Sequence, residues 1–401
     1  MLAETVQVVA GVVLVVAAGV SIVMSLVVPR AHVSPAWRVV GRLLGGVVRG
    51  AARTRPDYRS QDALLALVGP LTVLGVFVLW LGMFLTGYAL ILWGVDQVSG
   101  AAAAFREAGS SLFTLGIASS HAAGHTVIDY LAAPTGLLVV ALEIAYLPTI
   151  YAAFNRRETL VTMLESRAGV PAWGPEILAR HQLIGIVGTL PAFFSDWEQW
   201  AADVAESHTS YPVLVRFRSP KPLRSWVLAL LAVLDSAALY MSLFPERAPS
   251  EARLCLRMGF SALRDIASTE RLAFDEDPLP DSPLELSYDD FLVGVERVVE
   301  AGWRPERTPE EAWAHFRGWR VNYEEIAYRL AELTAAVPAP WSGHRHGLRP
   351  VALVRPLDRT PDDPDARRNA GGRWKGPAPV GPGDDGRVGE PEARPSNMPG
   401  S

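Results

Sequence analysis

The chain has 401 residues, of which 50% are hydrophobic and 20% charged, and its formal net charge is −5. Its mean hydropathy of +0.19 is too high for an ordinary soluble protein, and its charged fraction is too high for a chain wholly in lipid. The scattered Lys and Arg give no support to nucleic-acid binding, and the single Cys255 excludes an intramolecular disulfide and a Cys-rich metal site. We expect one lipid-embedded part and one water-facing part.

The first predicted element is a membrane span over about residues 5–28, with no charge between Glu4 and Arg30. At about 1.5 Å per residue, this run covers the hydrocarbon core of about 30 Å. A cleavable signal peptide would have a basic start and a shorter apolar run. The acidic start therefore favours an uncleaved anchor over residues 1–30, followed by a basic cytoplasmic linker over residues 31–62.

Two further apolar stretches predict two more spans. Residues 63–93 carry no charged side chain and predict a span over residues 71–93. The third predicted span covers about residues 131–154 and contains one ionisable residue, Glu143. We group residues 63–155 as one membrane module.

The arginines orient these spans. Seven lie between the first two spans and two follow the third, whereas the connection between the second and third spans has only Arg106. By the positive-inside rule, the N-terminus and that connection lie outside, and the chain after the third span is cytoplasmic. The sequence thus predicts a multi-pass plasma-membrane protein. The orienting arginines are Arg30, Arg38, Arg42, Arg49, Arg53, Arg55 and Arg59, then Arg156 and Arg157.

The outer connection predicts a re-entrant loop. Residues 105–115 suit a helix of about three turns, too short to span the membrane. A glycine-containing segment, TLGIAS, and a small polar run follow it. Such backbone is tolerated at membrane depth only where protein buries it or where it lines a wet cavity. The alternative is an outer connection that packs against the membrane face.

This order of elements, over about residues 64–154, resembles the two-helix pore module of bacterial tetrameric potassium channels. In that family a threonine, an aliphatic residue and Gly-Tyr-Gly-Asp present rings of backbone carbonyls to the ion. The resemblance implies a homotetramer in the lipid bilayer that conducts a monovalent cation, potassium in the family. The matching residues are Thr114, Leu115 and Gly116, and the departures are Ile117, Ala118 and Ser119.

The three departures affect the filter itself. Ala118 replaces the second filter glycine, whose positive φ costs a residue with a Cβ about 1 kcal/mol or more. Ile117 removes the hydroxyl that braces the family's filter, and Ser119 removes the carboxylate at its mouth. The expected selectivity is therefore that of a cation channel rather than of a strict potassium channel.

Two residues of the third span are candidates for the inner cavity and the gate. Four copies of Glu143 would form an acidic ring that favours cations. The alternative is a hydrogen bond between subunits, to Tyr146 or Thr149. Pro148 removes one backbone hydrogen bond and would allow the helix to bend.

Residues 156–350 predict an all-helical cytoplasmic domain, since they contain no alternating runs or hairpin signals. Ser195 is predicted to cap one helix. Residues 226–244 nearly satisfy the length of a fourth span, but Asp235 at their centre favours a buried helix in which it pairs with an arginine or a Trp NH group. Residues 351–401 have too few apolar side chains to fold and predict a disordered tail. The predicted helices of this domain cover residues 251–266, 288–301, 309–316 and 321–335.

No pattern predicts an enzyme. The chain lacks a phosphate loop, a nucleophile elbow, a dinucleotide fingerprint and a His-Glu-x-x-His motif. His121, His125 and Asp129 are spaced four apart and could bind a metal or sense pH. Two histidines without a third ligand of fixed position are weak evidence for such a site. We expect no cofactor and no catalytic residue. Two functions remain open: a channel-like pore, and a non-conducting scaffold or sensor whose helical domain binds a partner.

Overall fold

The computed structural model describes residues 2–27, 35–95, 100–119, 122–345 and 353–354. Within these residues the regular elements are helices, and an isolated β-bridge joins Val170 and Val354. The predicted all-helical fold is thus confirmed for the described part of the chain. The α-helices, numbered in chain order, are α1 (Leu2–Ile22), α2 (Pro35–Arg53), α3 (Tyr58–Leu65), α4 (Val68–Val95), α5 (Gly100–Leu112), α6 (Ala123–Ala168), α7 (Gly174–Leu183), α8 (Leu190–Ser210), α9 (Trp226–Leu243), α10 (Ser250–Glu270), α11 (Tyr288–Glu300), α12 (Pro309–Arg320) and α13 (Glu324–Leu333).

Among the described residues, four helical segments are long and apolar enough to cross a membrane. In the most apolar part of the first three, only 17%, 33% and 22% of the residues are buried, against 94% in the fourth. Widespread apolar exposure is expected where lipid takes the place of water. These helices are consistent with a multi-pass membrane protein, and the three predicted spans fall on the first three segments. The segments are Leu2–Leu26, Tyr58–Val95, Ala123–Ala168 and Trp226–Leu243.

Helices α1 and α4 pack closely in opposite directions. A Cβ added at Gly11 would lie 2.5 Å from the carbonyl oxygen of Gly87, and one added at Gly94 would lie 2.9 Å from that of Glu4. Small residues at such contacts let two backbones approach, which is how helices associate where no hydrophobic force drives them together. The α1–α4 pair therefore depends on glycine where the two backbones approach each other.

Helix α9 lies at the centre of a bundle formed by the chain after α6. It contacts α7, α8, α10, α12 and α13. Asp235, at its middle, accepts hydrogen bonds from Arg320 and from the Tyr323 hydroxyl, the latter at 2.9 Å. Arg320 also bonds Glu324 at 2.8 Å and is fully buried. The prediction of a buried helix with Asp235 paired to an arginine is confirmed, because a buried carboxylate is tolerated when it is paired and hydrogen-bonded.

Buried arginines connect the apolar helices with this bundle. Arg157, on α6, donates to the carbonyl oxygens of Leu214 at 2.9 Å and Phe217 at 2.7 Å. Arg218 donates to the Tyr58 hydroxyl at 2.6 Å, at the start of α3. Because these donors are charged and buried, the bonds are among the stronger kinds in a protein. They fix α3 and α6 to the segment between α8 and α9.

Most predicted helices of the bundle match observed ones, with one wrong cap. The four predicted helices coincide with α10 to α13 within a few residues at each end. Helix α6 ends before Gly169, whose φ is +74°. Ser195 does not cap a helix but lies inside α8, whose N-cap is Thr189. Pro191 in the first turn, with its fixed φ, favours this earlier start. The predicted tail lies outside the described residues apart from Leu353 and Val354.

Candidate functional site

Helix α5 lies beside α6 and runs in the same direction. Near the start of α6, His125 Nδ1 lies 3.0 Å from Glu107 Oε1, and both side chains are buried. At the other end of α5, a Cβ added at Gly136 would lie 1.8 Å from the Leu112 carbonyl oxygen. At a rise of about 1.5 Å per residue, Gly136 is about 20 Å along α6 from its first residue. The end of α5 therefore lies far from the start of α6.

From the C-terminal end of α5 the chain returns to the start of α6, which lies at the same height along the helix axes as the start of α5. Helix α6 begins beside the end of α4, since a Cβ added at Gly124 would lie 3.4 Å from a Val95 methyl. A Cβ added at Gly109 of α5 would lie 3.6 Å from a Leu85 methyl of α4. Helix α5 thus packs between α4 and α6, antiparallel to the first. Residues 113–122 connect its far end to the start of α6.

Ser110 holds the first part of this return segment. Its carbonyl oxygen accepts a bond from the Leu115 N–H at 2.7 Å, and its hydroxyl accepts one from the Ala118 N–H at 3.0 Å. The φ angles of Thr114 and Gly116 are +55° and +67°. Ala118, where the sequence led us to expect a positive φ, is not among the described residues that have one. The left-handed conformations fall two and four residues earlier, one of them on a glycine that adopts it without strain.

The six predicted filter residues, Thr114 to Ser119, all lie in this return segment. The side chains of Leu115 and Ile117 are 58% and 62% exposed, and Phe113 just before them is 43% exposed. The described residues of the chain leave these side chains largely uncovered. Clustered apolar side chains of this kind mark a surface that lipid or another chain covers.

Glu143 lies on α6 beyond the end of α5. Seven residues are about two helical turns, so Glu143 follows Gly136 on the same face, about 10 Å further along the helix. Its side chain is half-buried. The two bonding partners considered for Glu143 from the sequence make other contacts. The Thr149 hydroxyl donates to the Ala145 carbonyl oxygen at 3.3 Å, and the Tyr146 ring packs 5.7 Å from the Tyr211 ring.

Pro148 is exposed and lies within α6, which continues as a helix beyond it. It lines a groove of about 520 Å³ between α6 and α8. Arg156 and Asp203 form an ion pair at 3.3 Å in the wall of the groove. The groove leaves open space beside the helix at the proline.

Sequence reasoning missed the polar contacts that position α5. Ser111 donates to Asp129, and His125 contacts Glu107, so His125 and Asp129 both hold α5 against α6. Their spacing of four residues was a usable signal, because it places both on one helix face. His121 lies outside the described residues, which contain no group of three or more His, Cys, Asp or Glu that could hold a metal.

The chain matches no family model, and searches of curated proteins and of solved structures each found no match.

Proposed function

We propose that the chain forms a cation-conducting pore as a homotetramer, with α5 and residues 113–119 as its re-entrant pore loop. The supporting observation is the path of the chain: a short helix runs about 20 Å beside α6, and the chain then returns to its starting level. Backbone at membrane depth is tolerated where protein buries it or where it lines a water-filled cavity. Sister copies around a shared axis would supply that protein and that cavity.

The direction of α5 suits a cation. The C-terminal end of a helix carries a partial negative charge, because the aligned peptide dipoles add along its axis. In α5 this is the end at Leu112, next to Gly136. Four such ends around one axis would favour a cation at the middle of the membrane.

The return segment would form the constriction. Four copies of Thr114 to Ser119 would surround the axis, with the exposed Leu115 and Ile117 side chains covered by neighbouring copies. Backbone carbonyls and hydroxyls would contact the ion. Since Ile117, Ala118 and Ser119 differ from the potassium-channel sequence, the proposal covers monovalent cations in general.

Glu143 and Pro148 would act below the constriction. Four Glu143 carboxylates, two turns beyond the end of α5, would raise the cation concentration in the inner cavity. Pro148 would let α6 bend into the groove beside α8, and α6 would transmit movements of the bundle because it is one continuous helix from Ala123 to Ala168.

The test is the conductance of purified protein in planar bilayers, combined with its oligomeric state in detergent. Wild-type protein should be a tetramer with cation-selective currents. Gly116→Trp should abolish the current by filling the constriction. Gly185→Trp is a matched control, because Gly185 has a similar φ of +69°, likewise has no atom within 4 Å of an added Cβ, and lies in the bundle.

A current that persists in Gly116→Trp, or is lost equally in Gly185→Trp, would contradict the proposal. A monomer or dimer would also contradict it, because a single-loop pore needs a shared axis. That result would favour the second candidate, a non-conducting scaffold or sensor. The contacts of Arg157 that fix α6 to the bundle are the observation in its favour, since they suit the relay of a partner's binding.

A further inference from the structure

We propose that α2 carries a binding site for anionic phospholipid, formed by its arginines Arg38 and Arg42 and its exposed side chains Val39, Leu43 and Val47. We call these five residues the α2 surface. This inference goes beyond the proposed pore and stands whether or not the loop conducts ions.

One face of α2 packs along the first turns of α4. A Cβ added at Gly75 would lie 2.8 Å from a Val40 methyl, and one added at Gly41 would lie 3.5 Å from the Thr72 methyl. The Trp37 ring, in the first turn of α2, lies 6.2 Å from that of Trp80. The helix therefore runs beside the end of α4 that faces the bundle, where the predicted cytoplasmic boundary of the membrane falls.

A second face of α2 is apolar and uncovered. Val39, Leu43 and Val47, spaced four residues apart, form one stripe and are 49%, 65% and 71% exposed. In water such a stripe would cost free energy in proportion to its area. Its place beside an apolar helix of the membrane part makes acyl chains the matching cover.

A third face of α2 is basic. Arg38, Arg42, Arg49 and Arg53 follow each other at helical spacing, and none forms an ion pair with a carboxylate of the described residues. Arg49 donates to the Leu333 carbonyl oxygen at 3.3 Å, which engages it with the bundle. Arg216, behind Gly41, is instead neutralised by a bidentate bond to Glu270 at 2.8 and 2.9 Å.

Arg38 and Arg42 are therefore the arginines of α2 best placed for an external anion. The buried Nε of Arg38 has no hydrogen-bond partner among the described residues, and Arg42 is exposed. A guanidinium binds a phosphate through two parallel N–H bonds. Since the exposed apolar stripe lies directly beside the two arginines, one molecule with a phosphate and acyl chains satisfies both faces. Free phosphate would satisfy only one.

The experiment measures the thermal stability of the full-length protein in detergent while lipid is added. Phosphatidylglycerol should raise the melting temperature of the wild type more than phosphatidylcholine does, and inorganic phosphate should leave it unchanged. The double variant Arg38→Gln with Arg42→Gln should bind phosphatidylglycerol about 25-fold more weakly, since each arginine near an anionic headgroup contributes about a fivefold factor.

The matched control is Arg253→Gln with Arg257→Gln, two exposed arginines four residues apart on α10. It removes the same charge and should respond to phosphatidylglycerol like the wild type. The proposal is overturned if both double variants lose the response equally, if neither does, or if phosphatidylcholine or inorganic phosphate stabilises as well.

A second measurement identifies what covers the apolar stripe. Leu43→Cys in a Cys255→Ala background, labelled with a fluorophore and reconstituted in bilayers, should be quenched by lipids with brominated acyl chains. Leu254→Cys, at a side chain that is 51% exposed on α10, should not be quenched. Absence of quenching at residue 43, or a disulfide between the Leu43→Cys residues of two copies, would show that protein rather than lipid covers this face.

Discussion

His208 lies where α6, α8 and α9 meet. Arg157 Nη1 lies 3.0 Å from His208 Nε2, and Ser207 Oγ lies 3.1 Å from Nδ1. Because a guanidinium can only donate, Nε2 must accept, and the imidazole is neutral. Burial and the charge of Arg157 hold the pKa of His208 well below its usual value of 6.5. The protonated ring is thus disfavoured in the folded protein.

We expect this histidine to make the protein less stable in mild acid. Because folding lowers the pKa of His208, the contribution of its neutral ring to the free energy of unfolding is fully present above pH 6.5. This contribution is lost as the pH falls towards the pKa of the folded state. The free energy of unfolding falls by at most about 1.4 kcal/mol per pH unit, because the unfolded chain binds one proton that the folded chain does not bind. Thermal unfolding in detergent between pH 7.5 and 5.5 measures it.

The variant His208→Gln should flatten this pH dependence, at some cost in stability at pH 7.5. His315→Gln removes an exposed histidine and should keep the wild-type profile. The buried His181, whose pKa burial also lowers, would leave a smaller residual slope in His208→Gln. A profile that His208→Gln does not change would refute the assignment.

At the scale of single elements, the contact between α5 and α6 depends on Gly136. Any side chain at this position would overlap the carbonyl oxygen that ends α5. Backbone cannot move aside as a flexible side chain can, so α5 must shift away from α6. The two helices would then lose their closest contact, and the buried bond between His125 and Glu107 would be strained.

We therefore expect Gly136→Ala to destabilise the protein by about 1–3 kcal/mol, as overpacking a tight contact does. Gly82→Ala on α4 is the control, because an added Cβ there meets no atom within 4 Å. Alanine is the better helix former, so this control should be neutral or slightly stabilising. The measurement is the melting temperature in detergent. Equal effects of the two substitutions would argue against a close contact at Gly136.

Apolar runs predicted the long helices well, because a span must be about 20 residues of low polarity wherever it lies. The start of α8 was missed, since Ser195 offered a plausible cap inside the helix. The end of α5 lies three residues before its predicted end at residue 115. Helix ends depend on local hydrogen bonds, here those of Ser110, which composition does not reveal.

For the whole molecule, the exposed surface separates two parts. Large exposed apolar side chains are concentrated on α1, α2, α4 and α6, whereas the bundle exposes few, such as Leu254 and Leu279. Such a division is what a boundary between lipid and water requires. With the arginine distribution, it predicts that Ser119 and the bundle face opposite sides of the membrane.

This topology predicts different labelling of two introduced cysteines, each in a Cys255→Ala background. Ser119→Cys, in the exposed return segment, should react with a membrane-impermeant maleimide on intact cells. Ser268→Cys, exposed on α10, should react only after permeabilisation. Reaction of both from one side would rule out the predicted arrangement.

The sequence by itself determined the helical class, the three apolar segments and the need of a buried Asp235 for a polar partner, because length, periodicity and the cost of a buried charge are local properties. Only the tertiary structure decided that Arg320 and Tyr323 are the partners of Asp235, that α5 runs beside α6 to Gly136, and that Ser110 holds the return segment. These depend on which surfaces meet, and a glycine or a serine acquires such a role only from the backbone that packs against it.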